Sequence, residues 1–395
     1  MKYLFFILIL VIFFSCRKAQ IGETRSAGPE PDWNDTSAKH PKNETFRTLI
    51  EKYREKGLPG ISLLVNDANG TWIGATGKAD IANDIDFVPG TNSKAASITK
   101  LFINTLLFRL MEDSSNTGIG YNAINTKIDH WLPSSVISKL PNGRFVTLGQ
   151  CMNHETGIPD VIEQDAFYLA VLNNPNKNWQ PEELLEFIYN KPPLFIPSDT
   201  AIYSNTNTIL IKMVIETATG KSHADLLKQY VLTPLHLKNT FYQPYDKLPN
   251  NTAQGYFDLY NNNTLVNVSN LVTGSGNGYG GLYSNVYDLL IFIKAFLIDR
   301  TLLQPASLNR MTTFTGKRDG SNYYGYGLQK SFLDHGNDYG IGHKGRDLGY
   351  TANLFYFPGK KVTHIFFINY GTDSNSRLKK VFNDFQDELL KITLG

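Results

Sequence analysis

The chain has 395 residues, of which 42% are hydrophobic and 19% charged, a composition typical of a folded protein with a sizeable core. It carries 38 basic and 36 acidic residues, a formal net charge of +2. Because a nucleic-acid-binding protein usually shows a basic excess, this balance argues against a nucleic-acid partner.

The first residues have the pattern of a targeting segment. Lys2 precedes an uninterrupted apolar run from Leu4 to Phe14, which is too short for a permanent membrane span. Ser15 and Cys16 follow at once, as at a bacterial lipoprotein cleavage site. We therefore expect a signal peptide over residues 1–15 and lipidation of Cys16. The alternatives are an ordinary signal peptide cut nearby and an uncleaved anchor.

Residues 16–42 are polar, contain several glycines and prolines and show no periodicity, which predicts a flexible tether. The folded domain is expected over residues 43–395. It opens with a helix, because Phe46, Leu49, Ile50 and Tyr53 follow a helical spacing that ends at Gly57.

Strand-like runs occur near both ends of this domain. Residues 61–66 and 71–76 flank an Asn-Gly turn, and residues 352–357 and 362–369 flank a Pro-Gly turn. A final helix is predicted over residues 378–389, whereas residues 100–290 are richer in helical patterns. This order predicts an α+β fold in which the two ends build one sheet and a helical subdomain is inserted between them.

The first candidate site is Ser97-Ile98-Thr99-Lys100, at the start of a run that is apolar nearly all round. Lys100 would stand one turn from Ser97 and could accept its proton if burial kept the amine neutral. Alternatively, Ser97 caps the helix and Lys100 is a surface lysine. The same pattern occurs at Ser15–Lys18 and Ser376–Lys379, but neither precedes a buried helix.

The second candidate is Tyr203-Ser204-Asn205, directly before another helical run that ends near Gly220. Tyr203 could relay a proton to a leaving group, and Asn205 could bind the substrate amide or hold the lysine. Similar triplets begin at Tyr260 and Tyr283, so the residues alone leave the choice of tyrosine open.

The third candidate is His343-Lys344-Gly345. Strand alternation would place His343 and Gly345 on one face, with Lys344 and Arg346 on the other. Gly345 would let substrate approach the backbone, and the N–H of Arg346 could join that of Ser97 in an oxyanion hole. The alternative is a histidine in a polar turn.

The remaining candidates for chemistry are weak. No metal is expected, because the eight histidines show no ligand-like spacing, and nothing in the sequence calls for a cofactor. Cys151 lies in an apolar context and is expected to be a buried structural thiol rather than a nucleophile.

Together the three motifs resemble the serine β-lactamase and penicillin-binding-protein superfamily, on the branch of class C β-lactamases, D-alanyl-D-alanine carboxypeptidases and related esterases. Four further segments carry the same resemblance, which runs from about residue 46 to the end: residues 152–160, 280–284, 324–327 and 353–358. The resemblance implies a β-lactamase/transpeptidase-like fold, with an antiparallel five-stranded sheet flanked by helices and a helical domain that carries Ser97.

The resemblance also implies roles. Ser97 would be the nucleophile, Lys100 and Tyr203 the base system, and the strand at His343 would face the substrate. His343 stands where related β-lactamases have lysine, which weakens attraction for a substrate carboxylate. Residues 182–186 are the nearest approach to a Glu-x-x-Leu-Asn segment, so we expect no dedicated deacylating glutamate.

We therefore expect a membrane-tethered serine hydrolase, exported and facing the periplasm or the cell surface, that acts on a small ester, amide or peptide. Its substrate could be a cell-wall peptide. One alternative is a D-Ala-D-Ala carboxypeptidase or weak β-lactamase. Another is a catalytically silent sensor or scaffold with the same fold.

Overall fold

The computed structural model describes Thr24 and residues 36–314, 316–372 and 376–395. The expected signal peptide and Cys16 lie outside these residues. The strands are β1 Gly60–Asp67, β2 Gly70–Asp80, β3 Ile85–Asp86, β4 Ser93–Lys94, β5 Phe241–Tyr242, β6 Tyr256–Phe257, β7 Val266–Asn267, β8 Leu282–Ser284, β9 Arg318–Asp319, β10 Asn322–Tyr324, β11 Gln329–Ser331, β12 Gly340–Asp347, β13 Tyr350–Phe357 and β14 Val362–Ile368.

The helices are α1 Asn43–Glu55, α2 Thr99–Glu112, α3 Ser114–Thr117, α4 Ser134–Ile137, α5 Leu148–Met152, α6 Asp165–Asn173, α7 Pro181–Leu185, α8 Asn205–Thr219, α9 His223–Leu227, α10 Val286–Ile293, α11 Pro305–Met311 and α12 Lys379–Leu394. Within the described part of the chain, none of the helices has the length and apolar character needed to cross a membrane.

The main sheet joins the two ends of the domain, as the sequence predicts. Its order is β3-β2-β1-β14-β13-β12-β11-β10-β9, and β1 pairs antiparallel with β14, with Ile61 opposite Ile368. The fold class is confirmed, but the count of five strands is too small. Five long strands, β1, β2 and β12–β14, are extended by four strands of two or three residues, which are too short to leave a clear alternating pattern.

Both faces of the sheet are covered. Ile61, Leu63 and Val65 of β1 pack in one cluster with α1 and α12, whereas Leu64 belongs to the larger cluster formed with the helical subdomain. A strand buried on both faces is apolar along its length, which explains the nearly continuous hydrophobic run of β1. The predicted hairpins and terminal helices are confirmed.

The folded part begins earlier than the predicted boundary at residue 43. Residues Ser37–Lys39 form a 3-10 turn, and Ser37 Oγ accepts a hydrogen bond from Ile73 N at 2.8 Å. His40 is buried, with Nε2 3.2 Å from Asp67 Oδ1. The prediction of a tether through residue 42 is therefore wrong for its last six residues, which pack beside β1 and β2.

Helix α2 runs through the centre of the helical subdomain, as its apolar sequence predicts. Phe102 stacks on Phe292 of α10 with ring centroids 3.9 Å apart, and both side chains are fully buried. The predicted burial of Cys151 is also confirmed, and burial raises the pKa of its thiol far above the usual value. The first turns of α2 are thus packed in the buried core of the helical subdomain.

Candidate active site

Ser97 lies in a tight turn at the start of α2. A 3-10 turn over Ala96–Ile98 leads directly into the helix, and Ala96 has a φ of +47°. This conformation is unfavourable for a residue with a Cβ and needs support from its surroundings. Ser97 is not a helix cap, since the residues before the 3-10 turn and before α2 are Ala95 and Ile98.

Lys100 is buried, with 1% of its surface exposed, so the interpretation as a surface lysine is wrong. Its Nζ lies 3.0 Å from Ser97 Oγ, 2.6 Å from Asn205 Oδ1 and 3.0 Å from Tyr279 O. Burial lowers the pKa of Lys100 to about 7, although the carboxylates of Asp160 and Asp347 oppose this shift. The amine can therefore exchange a proton near neutral pH.

The three partners of Lys100 fit its neutral form. A neutral amine has two N–H groups and one lone pair. Asn205 Oδ1 and the Tyr279 carbonyl can only accept, so they take the two N–H groups. The lone pair is left for the hydroxyl proton of Ser97, and the site has the geometry of a serine activated by a lysine base.

Asn205 is held from behind by Asp160, a residue that the sequence analysis did not assign to the site. Asp160 Oδ2 accepts hydrogen bonds from Asn205 Nδ2 at 2.7 Å and from Asn205 N at 3.0 Å. Burial raises the pKa of Asp160 to about 6, against the hydrogen bonds from Asn205 and Ile162 and the charge of Lys100. Of the two roles considered for Asn205, the structure shows the contact with the lysine.

Of the three candidate tyrosines, Tyr203 is the one whose ring lies beside Lys100. The centroid of its ring lies 4.9 Å from Lys100 Nζ. The rivals lie elsewhere, because Tyr260 is 70% exposed and Tyr283 is buried within β8, where it pairs with Lys94 and Phe241.

His154 positions the Tyr203 loop and was also missed. Its ring lies 4.6 Å from that of Tyr203, and its Nδ1 accepts a hydrogen bond from Ser204 N at 3.2 Å. Burial lowers the pKa of His154 to about 3, so the ring is neutral at physiological pH. Its position in the loop that resembles the family was the available signal.

His343 is not among the residues that line the cavity, and its assignment as a substrate-binding residue stays a prediction. It lies in β12 with 1% of its surface exposed, and its Nδ1 is 2.6 Å from Lys344 O. Because a carbonyl only accepts, Nδ1 carries the proton. Burial, aided by the charge of Lys100, holds the pKa of His343 well below its usual value. The ring is a neutral buried group 6.1 Å from that of Tyr203.

Gly345 supports the nucleophile turn rather than the substrate. A Cβ at this position would stand 2.1 Å from the carbonyl oxygen of Ala95, two residues before Ser97. The sequence predicts that substrate approaches the backbone here, whereas the close approach in the structure is by the backbone of the protein itself. Strand alternation could not distinguish these two partners.

Substitution of Gly345 by alanine should therefore displace the turn that carries Ser97. Since the obstructing atom belongs to the backbone, we expect a loss of about 1–3 kcal/mol in unfolding free energy and at least a tenfold loss of esterase activity. Thermal unfolding and nitrophenyl ester hydrolysis would measure both effects. Gly280→Ala is a matched control for stability, because a Cβ there meets nothing within 4 Å. Equal melting temperatures for both variants would contradict the expectation.

The side chain of Arg346 points away from the cavity, as strand alternation predicts. Its Nη1 donates to Gly345 O, Ala352 O and Asn353 Oδ1, and its guanidinium lies 4.8 Å from the Phe382 ring of α12. Arg346 nevertheless contributes to the cavity wall. What it can offer a substrate there is its backbone.

A cavity of about 490 Å³ opens beside Ser97. Besides Ser97 and Asn205, its wall includes Glu163 and Asp347, neither of which the sequence analysis identified. Asp347 Oδ2 lies 2.6 Å from the Nζ of buried Lys94 and also accepts a hydrogen bond from Thr273. No group of three or more potential metal-binding His, Cys, Asp or Glu side chains occurs among the residues that the structure describes.

Comparison with known proteins shows the family and the fold of the chain. The Beta-lactamase family model matches residues 46–385. A D-stereospecific amidohydrolase from Streptomyces superposes with a TM-score of 0.73 at 26% identity, covering 87% of this chain and 98% of that one. The D-amino acid amidase from Ochrobactrum anthropi SV3 gives 0.75 at 23% identity, covering 89% and 98%.

The curated relatives are matched over a smaller share of their length. The unguisins hydrolase of Aspergillus violaceofuscus is 25% identical over 244 residues, 58% of this chain and 40% of that protein. The D-alanyl-D-alanine-carboxypeptidase/endopeptidase AmpH of Escherichia coli K12 is 22% identical over 276 residues, 68% and 67% respectively. The chain thus spans less than half the length of the first of these relatives.

Proposed function

The chain belongs to the Beta-lactamase family and is a serine hydrolase; from this premise we propose that it cleaves a small ester, amide or peptide through an acyl-enzyme on Ser97. The observation that carries the proposal is the 3.0 Å contact between Lys100 Nζ and Ser97 Oγ, made by a lysine whose pKa burial lowers to about 7. Such a lysine is a base at neutral pH.

In the proposed reaction, Lys100 accepts the Ser97 proton while Oγ attacks the substrate carbonyl. The backbone N–H groups of Ser97 and Arg346 stabilise the oxyanion of the tetrahedral intermediate. Tyr203, whose ring adjoins Lys100, helps to pass the proton to the leaving group. Water then attacks the acyl-enzyme, and the same groups return the proton to Ser97.

Asp160 is proposed as a positioning residue in this scheme. By accepting from Asn205 Nδ2, it keeps Asn205 Oδ1 turned towards Lys100, and its charge keeps the lysine pKa higher than burial alone would. The pH dependence of hydrolysis should therefore respond to this residue, although it does not contact the cavity.

Asp160→Asn should move the acid limb of kcat/KM to lower pH. Removal of the carboxylate charge lowers the pKa of Lys100, so the neutral base persists to lower pH, by about one unit or more. Rate profiles between pH 4 and 9 would measure the shift. If the rate fell but the acid limb of the profile stayed at the same pH, Asp160 would only support the loop. Asp246→Asn is the control, because Asp246 is a half-buried carboxylate that accepts a hydrogen bond from Tyr242 N and lies outside this network.

A D-Ala-D-Ala carboxypeptidase or weak β-lactamase is the second candidate, favoured by the similarity to AmpH. Incubation with a fluorescent penicillin and a fluorophosphonate, followed by mass spectrometry, distinguishes the candidates. Labelling of Ser97 by the fluorophosphonate alone supports the hydrolase of neutral esters and amides, and labelling by both supports the second candidate. Labelling by neither would indicate a silent sensor or scaffold and contradict the proposal.

We further propose that the protein is an exported lipoprotein, anchored to a membrane through Cys16. The support is the sequence alone, namely the apolar run followed by Ser15 and Cys16. Incorporation of a labelled fatty acid, abolished by Cys16→Ser, would test the anchor. Equal labelling of the wild type and the variant would contradict it.

A further inference from the structure

The cationic groups near the cavity are neutral, paired or turned away from it. Lys94 forms a buried ion pair with Asp347, His343 is a buried neutral ring, and the guanidinium of Arg346 lies on the face of the sheet that packs against α12. Lys100 donates to Asn205 and Tyr279 and lies beside Ser97. Each of these groups therefore already has its own partners within the described part of the chain, so none of them is left to bind a substrate carboxylate.

The acidic groups, by contrast, remain at the cavity. Glu163 lies on its wall and is exposed to solvent. Asp347 is also on the wall, but its carboxylate is paired with Lys94. Among the described residues, Glu163 thus adds to the wall a carboxylate for which the structure shows no ion pair, and this carboxylate favours a cationic ligand and opposes an anionic one.

The rest of the wall suits the body of an organic cation. Ile162, Tyr168, Phe257 and Tyr279 supply apolar and aromatic surface. Aromatic faces attract an ammonium group as well as alkyl chains. Glu163 directly follows Ile162 on the chain, so a carboxylate and apolar surface adjoin each other at the same wall.

We infer that the substrate of this site is an ester or amide that carries a protonated amine, selected over carboxylate-bearing analogues by Glu163. The inference rests on the proposed function, because it concerns the cavity beside Ser97. It separates this site from one that recognises the carboxylate of a penicillin or of a peptide C-terminus.

Two matched series of 4-nitroanilides test the charge preference. One contains the β-alanyl, propionyl and succinyl compounds, and the other the 6-aminohexanoyl, hexanoyl and adipoyl compounds. Each series keeps the acyl length nearly constant while the charge at its end changes from positive to neutral to negative. A second readout is protection of Ser97 from a fluorophosphonate by the corresponding primary amides, followed by mass spectrometry.

In at least one series we expect kcat/KM to be about tenfold greater for the amine than for the carboxylate, or the amine-bearing amide to protect Ser97 about tenfold better. Glu163→Gln should reduce that ratio several-fold, whereas Glu186→Gln should leave it unchanged. Glu186 is a matched control because it is equally exposed but does not line the cavity. High salt should also reduce the ratio in the wild type.

The inference and the proposed function can fail separately. If Ser97 reacts and substrates are cleaved without a preference for the amine in either series, the inference is overturned and the hydrolase stands. An equal effect of Glu163→Gln and Glu186→Gln would also overturn it. If Ser97 does not react with the fluorophosphonate and no compound is hydrolysed, the proposed function itself is wrong.

Discussion

Substitution of Ser97 by alanine is expected to abolish hydrolysis of a nitrophenyl ester, with a loss of at least three orders of magnitude in kcat. The variant keeps Lys100 and the cavity but has no oxygen to form the acyl-enzyme. The melting temperature should change little, because the hydroxyl caps no helix and its hydrogen bond among the described residues is with Lys100.

The control for Ser97→Ala is Ser275→Ala, which removes a different serine hydroxyl at the same cavity. Ser275 also lines the cavity, but it makes no contact with Lys100. Its loss should reduce the rate less than tenfold. If Ser97→Ala kept activity within tenfold of the wild type, or if the two variants lost activity equally, Ser97 could not be the nucleophile.

The elements near the two chain ends could be predicted because their signals are local. The stripe Phe46–Tyr53 lies on one face of α1, and the Asn-Gly turn sets the hairpin of β1 and β2. The four short strands could not be predicted, since they contain too few residues to show alternation. The order of residues 37–42 could not be predicted, because the contacts that hold them are with β1 and β2, which follow later in the chain.

Within the site, the sequence identified the residues of the three motifs but not their supports. Asp160 is 45 residues from Asn205 along the chain, and only the fold brings the two together. Glu163 and Asp347 are ordinary acidic residues whose position on the cavity wall depends on tertiary structure.

The assignment of His343 shows a different limit. Alternation along β12 correctly separates His343 and Gly345 from Lys344 and Arg346, but it does not tell which layer covers each face. The turn that carries Ser97 lies against Gly345, and the ring of His343 is buried near Tyr203. His343 and Gly345 of β12 are thus packed inside the protein, whereas Arg346 and Asp347 at the end of the same strand contribute to the cavity wall. Which of them binds a substrate stays a prediction.

The second large effect is expected for Lys100→Arg, which should reduce kcat nearly as much as loss of Ser97. A guanidinium remains protonated at every working pH, so it has no lone pair for the Ser97 proton. Lys100 is buried and its three partners fit a neutral amine, two accepting and one donating. Arginine can only donate hydrogen bonds, so it cannot accept the hydroxyl proton of Ser97. Its larger head group must also fit beside Asn205.

Lys212→Arg is the control for Lys100→Arg. It distinguishes loss of the base from the effect of placing a larger cation in a buried helix. Lys212 is also a mostly buried helical lysine, but it pairs with Glu216 at 2.9 Å and lies outside the cavity wall. Its substitution should preserve activity, and circular dichroism should show both arginine variants folded. If a folded Lys100→Arg enzyme kept more than a tenth of the wild-type kcat, Lys100 would serve as a fixed charge, and Ser97 would need another base.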